Sequence, residues 1–141
     1  MQGDSNKLVG SGNGILGSFN QVFGDNNAMK GNENKVKGSD NSLVGNLNQV
    51  IGSQNQLEGD ENKVKGNSNQ VHGDHNAMQG DWNKVLGDRN SLIGDKNNIF
   101  GSKNSVLGDK NNVAGDSNIL EGHRNDIWGS LNQLRGVDNS I

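Results

Sequence analysis

The sequence lacks several residue types that usually organise a small domain. It has no cysteine, proline or tyrosine, and threonine is also absent. Without cysteine, the chain indicates neither an oxidising nor a reducing compartment. No apolar run approaches the length of a membrane span, and the opening Met-Gln-Gly is unlike a signal peptide. The net charge is −3 with both signs interspersed, which predicts neither a nucleic-acid partner nor a membrane partner.

The low hydrophobic content gives a misleading first impression. Hydrophobic residues make up 28% of the chain, the mean hydropathy is −0.84, and there are 22 glycines. Such values lie near the range of disordered proteins. A strict internal period overturns that interpretation, because a disordered segment has no reason to place one aliphatic residue in every seven positions.

Three columns of residues repeat along the whole chain. Every seventh residue is a glycine from Gly3 to Gly136. Asparagine follows each glycine after three positions, from Asn6 to Asn139, and an aliphatic residue or methionine comes two positions later, from Leu8 to Ile141. The chain is therefore a run of 20 heptapeptides. It predicts one β-solenoid domain over residues 1–141, with no linker, second domain or terminal caps.

Each heptad predicts a short strand followed by a turn. In an extended strand, side chains alternate between the two faces, so Asn20 and Val22 share one face and Gln21 and Phe23 share the other. The invariant pair must point inward, because the outward positions vary among lysine, glutamate, histidine and tryptophan. Glycine reaches positive φ without a steric penalty, and the Asp, Ser or Asn after it can bond to nearby backbone. The chain thus turns every seven residues.

The asparagine column requires a structural explanation. A buried amide has two donors and an acceptor, and leaving them unpaired costs about 1–3 kcal/mol. Stacked in register, each amide can bond to the asparagines above and below it, or to the backbone of a turn. The predicted ladder residues are Asn6, Asn13, Asn20, Asn27, Asn34, Asn41, Asn48, Asn55, Asn62, Asn69, Asn76, Asn83, Asn90, Asn97, Asn104, Asn111, Asn118, Asn125, Asn132 and Asn139.

Two coil lengths are compatible with a heptad. Two heptads per coil give two parallel sheets that face each other across a thin aliphatic core, with about ten coils and a rod of about 48 Å. Three heptads per coil give a three-sided coil of 21 residues. That alternative collects an apolar column at the last outward position: Phe23, Val44, Lys65, Leu86, Leu107 and Trp128. The motif Gly-Asp-Lys-Asn-Asn recurs at 94 and 108, a spacing of fourteen, which favours the two-sided coil.

No residues stand apart from the repeat as a catalytic or metal site. The glycines do not form a phosphate loop, because they recur every seven residues and no helix follows them. The Gly-Gly-x-Gly-x-Asp signature of a calcium-binding roll is absent, and His72, His75 and His123 lack a further nearby zinc ligand. We therefore expect no enzymatic activity, no cofactor and no bound metal.

The repeat resembles that of a known family. The segments Gly-Asn-Ser-Asn-Gln-Val-His-Gly at 66–73 and Gly-Ser-Lys-Asn-Ser-Val-Leu-Gly at 101–108 match the motif x-x-Asn-x-Val-x-Gly. This motif is similar to that of the grass ice-recrystallisation-inhibition domain and covers essentially the whole chain. The resemblance implies a left-handed β-roll of about 14 residues per coil and an extracellular or cell-surface location. The heads of trimeric autotransporter adhesins are more weakly similar.

The outward positions depart from that family. There, the resemblance implies an ice-binding face at the two positions that flank the inward valine, filled mainly by Thr, Ser and Val. Here the same positions hold pairs such as Lys35 with Lys37 and Lys63 with Lys65. The serines that fit the family pattern are Ser42, Ser91 and Ser105, beside Val44, Ile93 and Leu107. An ice surface is therefore a disfavoured partner.

Apolar residues at the last outward position predict contacts between copies of the chain. A rod has few ways to bury such side chains within itself, and contiguous apolar patches mark association surfaces. Because successive heptads alternate between the two sheets, both faces are expected to carry patches. The predicted lateral contacts are Phe23, Val44, Ile51, Leu86, Ile93, Phe100, Leu107 and Trp128.

The leading hypothesis is a structural protein that stacks end to end into a filament. The first and last heptads obey the repeat, so a terminal coil of one copy is expected to template the first coil of the next. A charge at the junction, as in Val137→Lys, is expected to abolish such filaments. An ice-binding protein, an adhesin repeat segment and a designed scaffold are the alternatives. The predicted junction residues are Met1, Leu8, Leu134, Val137 and Ile141.

Overall fold

The protein is a parallel β-solenoid. The computed structural model describes residues 2–122, together with the backbone of two further strands at 126–128 and 133–135. Within these residues no helix is long and apolar enough to cross a membrane. The strands are Lys7–Val9 (β1), Gly14–Leu16 (β2), Gln21–Phe23 (β3), Ala28–Lys30 (β4), Lys35–Lys37 (β5), Ser42–Val44 (β6), Gln49–Ile51 (β7), Gln56–Glu58 (β8), Lys63–Lys65 (β9), Gln70–His72 (β10), Ala77–Gln79 (β11), Lys84–Leu86 (β12), Ser91–Ile93 (β13), Asn98–Phe100 (β14), Ser105–Leu107 (β15), Asn112–Ala114 (β16), Ile119–Glu121 (β17), Asp126–Trp128 (β18) and Gln133–Arg135 (β19).

Alternate strands belong to opposite sheets. The ten odd-numbered strands form one parallel sheet and the nine even-numbered strands form the other. Each strand pairs in register with the strand fourteen residues away, so Val22 lies between Leu8 and Val36. The predicted coil of two heptads is confirmed, and this pairing is incompatible with the three-sided coil. We call the outward side of the ten-stranded sheet the odd face, and that of the nine-stranded sheet the even face.

The core is a seam one aliphatic side chain wide. The inward column from Ile15 to Leu120 is at most 4% exposed at every member. The outward neighbours alternate with it, as in β13, where Leu92 is buried and Ser91 and Ile93 are exposed. Because each coil buries its seam residues only against its own opposite strand and the adjacent coils, stability accumulates along the axis.

The turns depend on the glycine column. From Gly3 to Gly122 these glycines have φ between +115° and +141°. A Cβ added to Gly66 would lie 1.9 Å from the carbonyl oxygen of Gly80 in the next coil. The column is therefore fixed both by backbone conformation and by the close approach of stacked turns.

The residue before each asparagine also has a left-handed conformation, which the sequence analysis did not predict. Phe19, Leu47 and Trp82 occupy this position with φ of 61°, 59° and 63°. For a residue with a side chain, such a conformation costs about 1–3 kcal/mol. Gly12 and Asn26, at the same position, are residue types that tolerate it more readily.

Candidate functional site

The buried asparagine amides form hydrogen bonds within the coil stack. The Nδ2 of Asn20 donates to Oδ1 of Asn6 at 3.1 Å and to the carbonyl oxygen of Gly31 at 2.9 Å. Its own Oδ1 accepts from the backbone nitrogen and the Nδ2 of Asn34, at 3.0 and 3.1 Å. The amide thus bonds both to neighbouring asparagines and to a turn, which the sequence analysis gave as alternatives.

The ladders run along both edges of the solenoid. One passes from Asn6 to Asn118 before the odd strands, and the other from Asn13 to Asn111 before the even strands. The ladder asparagines from Asn20 to Asn118 are at most 1% exposed. They therefore support the fold and are inaccessible to a ligand. Asn125, Asn132 and Asn139 lie outside the described residues.

The residue after each column glycine forms a second ladder in the turns. The backbone nitrogen of Asp60 donates to Oδ1 of Asp74 at 2.7 Å, and that of Asp74 to Oδ1 of Asp88 at 2.8 Å. Serine takes the same role, since the Ser39 nitrogen donates to Oγ of Ser53 at 3.1 Å. We expected bonds to nearby backbone, but the partner lies fourteen residues away because the turns stack directly. One carboxylate oxygen of each such aspartate is therefore engaged.

Two histidines pair with glutamates one coil earlier. His72 Nδ1 lies 3.1 Å from Glu58 Oε2 on the even face, and His75 Nε2 lies 3.1 Å from Glu61 Oε2 in the adjoining turn. About half or more of each side chain is exposed, so each pair contributes little to stability. Among the described residues, no three His, Cys, Asp or Glu side chains are grouped for a metal ion. His123 lies outside those residues.

The predicted lateral contacts are exposed and divide between the two faces. Leu86 and Phe100 are in-register neighbours on the even face, and Ile93 and Leu107 are neighbours on the odd face. These four side chains are between 38% and 51% exposed. They form two separate apolar pairs, as expected from the alternation of heptads between sheets.

Each of the remaining lateral residues with a described side chain has at least one charged neighbour. Val44 lies between Lys30 and Glu58 on the even face. Ile51 lies between Lys37 and Lys65 on the odd face. Phe23 neighbours Val9 and Lys37. The side chain of Trp128 lies outside the described part of the structure. Contact of any of these residues with another copy remains a prediction.

The serines singled out by the sequence do not form one surface. Ser91 and Ser105 are neighbours in the odd sheet, with Ile93 and Leu107 beside them. Ser42 belongs to β6 in the opposite sheet. The longest match to the expected ice-binding pattern is therefore a patch of two strands, flanked by Ala77 and Gln79 in β11 and by Ile119 and Glu121 in β17.

Only one predicted junction residue has a described side chain. Leu8 is 36% exposed, because its strand β1 pairs on one side with β3 and lies at the edge of the odd sheet. The backbone of Leu134 pairs with Leu120. Its side chain, together with Met1, Val137 and Ile141, lies outside the described residues.

The odd face has a concentration of lysines that the sequence analysis missed. The outward positions of β1, β5 and β9 hold five of them: Lys7, Lys35, Lys37, Lys63 and Lys65. These lysines lie between residues 7 and 65 of the sequence. Their clustering becomes visible only when the coil length shows which heptads share a face. The grooves beside them are open to solvent and lined by side chains of adjacent strands, such as Gln49 and Ile51.

Comparison with known proteins identifies one family. The sequence model described as "Grass antifreeze beta roll" matches residues 1–94 and 73–141, which together span the whole chain. No curated protein matches the sequence. The family match agrees with the observed parallel β-solenoid of 14 residues per coil and its asparagine ladders.

Proposed function

This chain belongs to the grass antifreeze β-roll family, and from that premise we propose a non-enzymatic protein that acts through its repetitive surfaces and self-assembles end to end. The rods so formed would be filaments or a scaffold, with lateral contacts as a secondary interaction. The observation that supports this proposal is the equivalence of the stacked coils, which pair in the same fourteen-residue register along each sheet.

The first described coil shows which groups a neighbouring coil covers. Leu8 is 36% exposed, whereas its counterparts from Ile15 to Leu120 are at most 4% exposed. In the next coil, the backbone nitrogen and Nδ2 of Asn20 both donate to Oδ1 of Asn6. In a coil stacked before Asn6, the side-chain oxygen of the equivalent asparagine would accept from the backbone nitrogen and Nδ2 of Asn6. The same coil would cover Leu8. Covering the exposed third of this side chain contributes about 0.5–1 kcal/mol.

A coil of a second copy would offer the complementary surface. The backbone nitrogen of the ladder asparagine donates to the asparagine of the preceding coil throughout the described stack, as in Asn20 and Asn48. The leading side of one coil therefore fits the trailing side of another. Strand addition at an open sheet edge is an established mode of association. The apolar pairs Leu86–Phe100 and Ile93–Leu107 would then support side-by-side contacts between rods.

Electron microscopy of one junction variant and one matched control tests this assembly. Leu8→Lys places a charge in the seam, whereas Val9→Lys places it on the outward face of the same strand. We expect fibres from the wild type and from Val9→Lys, and single rods of about 5 nm from Leu8→Lys. Single rods from the wild type at high concentration would contradict the proposal, as would fibres from Leu8→Lys.

Ice binding is the second candidate, and the family membership together with one patch favours it. Ser91 and Ser105 stand in register with Ile93 and Leu107 beside them on a parallel sheet. Small hydroxyl and aliphatic side chains repeated at the strand spacing of about 4.8 Å form a flat, regular surface. The lysines on β5 and β9 interrupt this surface elsewhere on the odd face.

An ice-recrystallisation assay separates the two candidates. If the patch binds ice, Ser105→Lys should abolish inhibition of recrystallisation, while Ser42→Lys on the even face should not. Leu8→Lys should leave the inhibition unchanged, since Leu8 lies outside the patch. Absence of inhibition by the wild type would dismiss this candidate and leave the assembly proposal untouched.

A further inference from the structure

Lysine and glutamine alternate along one row of the odd face. In the odd sheet, the first outward positions of β1, β3, β5, β7 and β9 hold Lys7, Gln21, Lys35, Gln49 and Lys63. We call these five residues the lysine row. All five side chains are exposed. Because the strands pair in register, the row runs straight along the axis of the rod.

The spacing within the row is set by the fold. Neighbouring strands of a sheet lie about 4.8 Å apart, so lysines on every second strand recur at about 9.6 Å. The glutamines between them offer amide donors and acceptors at the intermediate positions. The row therefore presents a positive charge and a neutral hydrogen-bonding group in turn, three charges in all: Lys7, Lys35 and Lys63.

A second row beside it supplies apolar surface and more positive charge. Phe23 and Ile51 occupy this row on the strands of the two glutamines, and Lys37 and Lys65 occupy it on the strands of two lysines. The Lys7 ammonium lies 5.5 Å from the centroid of the Phe23 ring. A flat ligand along the lysine row would thus meet an exposed aromatic or aliphatic side chain at every second coil.

The lysines are not neutralised by the protein itself. From β1 to β9 the odd face has no acidic residue, although the whole chain has a net charge of −3. The ion pairs His72–Glu58 and His75–Glu61 involve none of these lysines. Acidic residues such as Glu33 and Asp40 lie in the turns at the edges of this face. The lysines are therefore available to an anionic ligand.

We propose that the lysine row binds a linear acidic polysaccharide with a carboxylate on every second sugar. One coil advances about 4.8 Å along the rod, so two coils span about 9.6 Å, which is comparable to two sugar rings of an extended chain. Its carboxylates would then face Lys7, Lys35 and Lys63. The neutral sugars between them would hydrogen-bond to Gln21 and Gln49, and ring faces would rest on the side chains of the second row. The site does not depend on self-assembly.

Other polyanions fit this spacing less well. The phosphates of a nucleic-acid strand recur at about 3.4 Å along a duplex, which does not match charges at about 9.6 Å. A linear polysaccharide has both the straight path and the alternation of charged and neutral units. Stacked turn aspartates such as Asp60, Asp74 and Asp88 recur once per coil. A second copy could therefore present carboxylates at a similar spacing, and the experiment must distinguish it from a sugar chain.

A hyaluronan hexasaccharide is a suitable probe, because glucuronate alternates with a neutral amino sugar and supplies three carboxylates. Calorimetry with the full chain at about 50 mM salt should show saturable binding that weakens as salt increases. The same hexasaccharide with its carboxyl groups reduced to alcohols should bind about tenfold more weakly or worse. Equal binding of the two sugars, or no saturable binding, would overturn the proposal.

Two double variants locate the site. Lys35→Gln with Lys63→Gln should lower the affinity about tenfold or more, whereas Lys30→Gln with Lys84→Gln on the even face should change it less than about twofold. Circular dichroism should show that both variants fold. Leu8→Lys should bind the sugar like the wild type, even where it blocks assembly. If the odd-face variant loses only self-association, measured by sedimentation, the lysines contact a second copy and the polysaccharide proposal fails.

Discussion

The backbone nitrogen and the side-chain nitrogen of Asn34 donate to the same atom, Oδ1 of Asn20, at 3.0 and 3.1 Å. One amide oxygen therefore fixes both the main chain and the side chain of the coil above it. Asn20 also donates to the carbonyl oxygen of Gly31. A single asparagine therefore bonds both to the residue that precedes a strand of the next coil and to a turn. The buried amides therefore stabilise the stack together with the aliphatic seam.

Removing one amide should destabilise several coils at once. Asn55→Ala leaves the Gly66 carbonyl oxygen without its donor, and leaves two donors of Asn69 without their acceptor. At about 1–3 kcal/mol for each unsatisfied buried group, the free energy of unfolding should decrease by about 3 kcal/mol or more. Urea unfolding followed by circular dichroism measures this change. Gln56→Ala, an outward neighbour, should have little effect, and equal losses would contradict the ladder's role.

Two glycines that differ in environment should respond oppositely to alanine. Gly66→Ala introduces a Cβ 1.9 Å from the Gly80 carbonyl oxygen at a φ of +141°, so we expect a loss of about 3 kcal/mol or more. Gly14 has no atom within 4 Å of an added Cβ. Gly14→Ala should stabilise the chain by about 0.4–1 kcal/mol, because it restricts the unfolded state. Thermal midpoints of both variants provide the measurement, and similar values would refute the explanation.

The left-handed turn residue offers a site for stabilisation. Leu47 has a φ of +59° and is 45% exposed, so its strain is offset by little burial. Leu47→Asn should raise the free energy of unfolding by about 1 kcal/mol, because asparagine tolerates this conformation. Leu47→Val should lower it, since a β-branched side chain tolerates positive φ poorly. A higher thermal midpoint for the valine variant than for the asparagine variant would contradict this account.

The inward and outward isoleucines test the thin core. Ile99 is fully buried and Ile93 is 51% exposed. Ile99→Ala should cost about 2–5 kcal/mol through lost burial and a cavity, while Ile93→Ala should stay within about 0.5 kcal/mol. The comparison is made by urea unfolding below the concentration at which fibres form. A large loss from Ile93→Ala in the monomer would mean that the odd face packs against something within the chain.

The architecture was predictable because the same two inward residue types recur in all 20 heptads. Asparagine and the aliphatic residue two positions later must share a face, and glycine must turn the chain. The conformation of Leu47 was not predictable from its own type, because its neighbours impose it. The occupants of that position range from Gly12 to Trp82, and only a few of them, such as Gly12, Asn26 and Asp40, are types that favour the conformation.

The surface was harder to predict than the core. The lysine row joins residues 28 positions apart, such as Lys7, Lys35 and Lys63, and it appears only after the coil is known to contain two heptads. A three-sided coil would have distributed the same lysines over different faces. The two-heptad coil was favoured from the sequence, but only apolar residues were compared across its two faces, so the charged row was not recognised.

The two-heptad coil has a consequence for how such genes can change. Loss or gain of one heptad leaves the glycine, asparagine and aliphatic columns intact, so the fold tolerates it. Every residue downstream, however, moves to the opposite side of the rod. Deletion of residues 45–51, for example, would transfer Lys63 and Lys65 from the odd to the even face. Unequal recombination in units of seven therefore reshuffles the binding surfaces, whereas units of fourteen only change the length of the rod and preserve what each side displays.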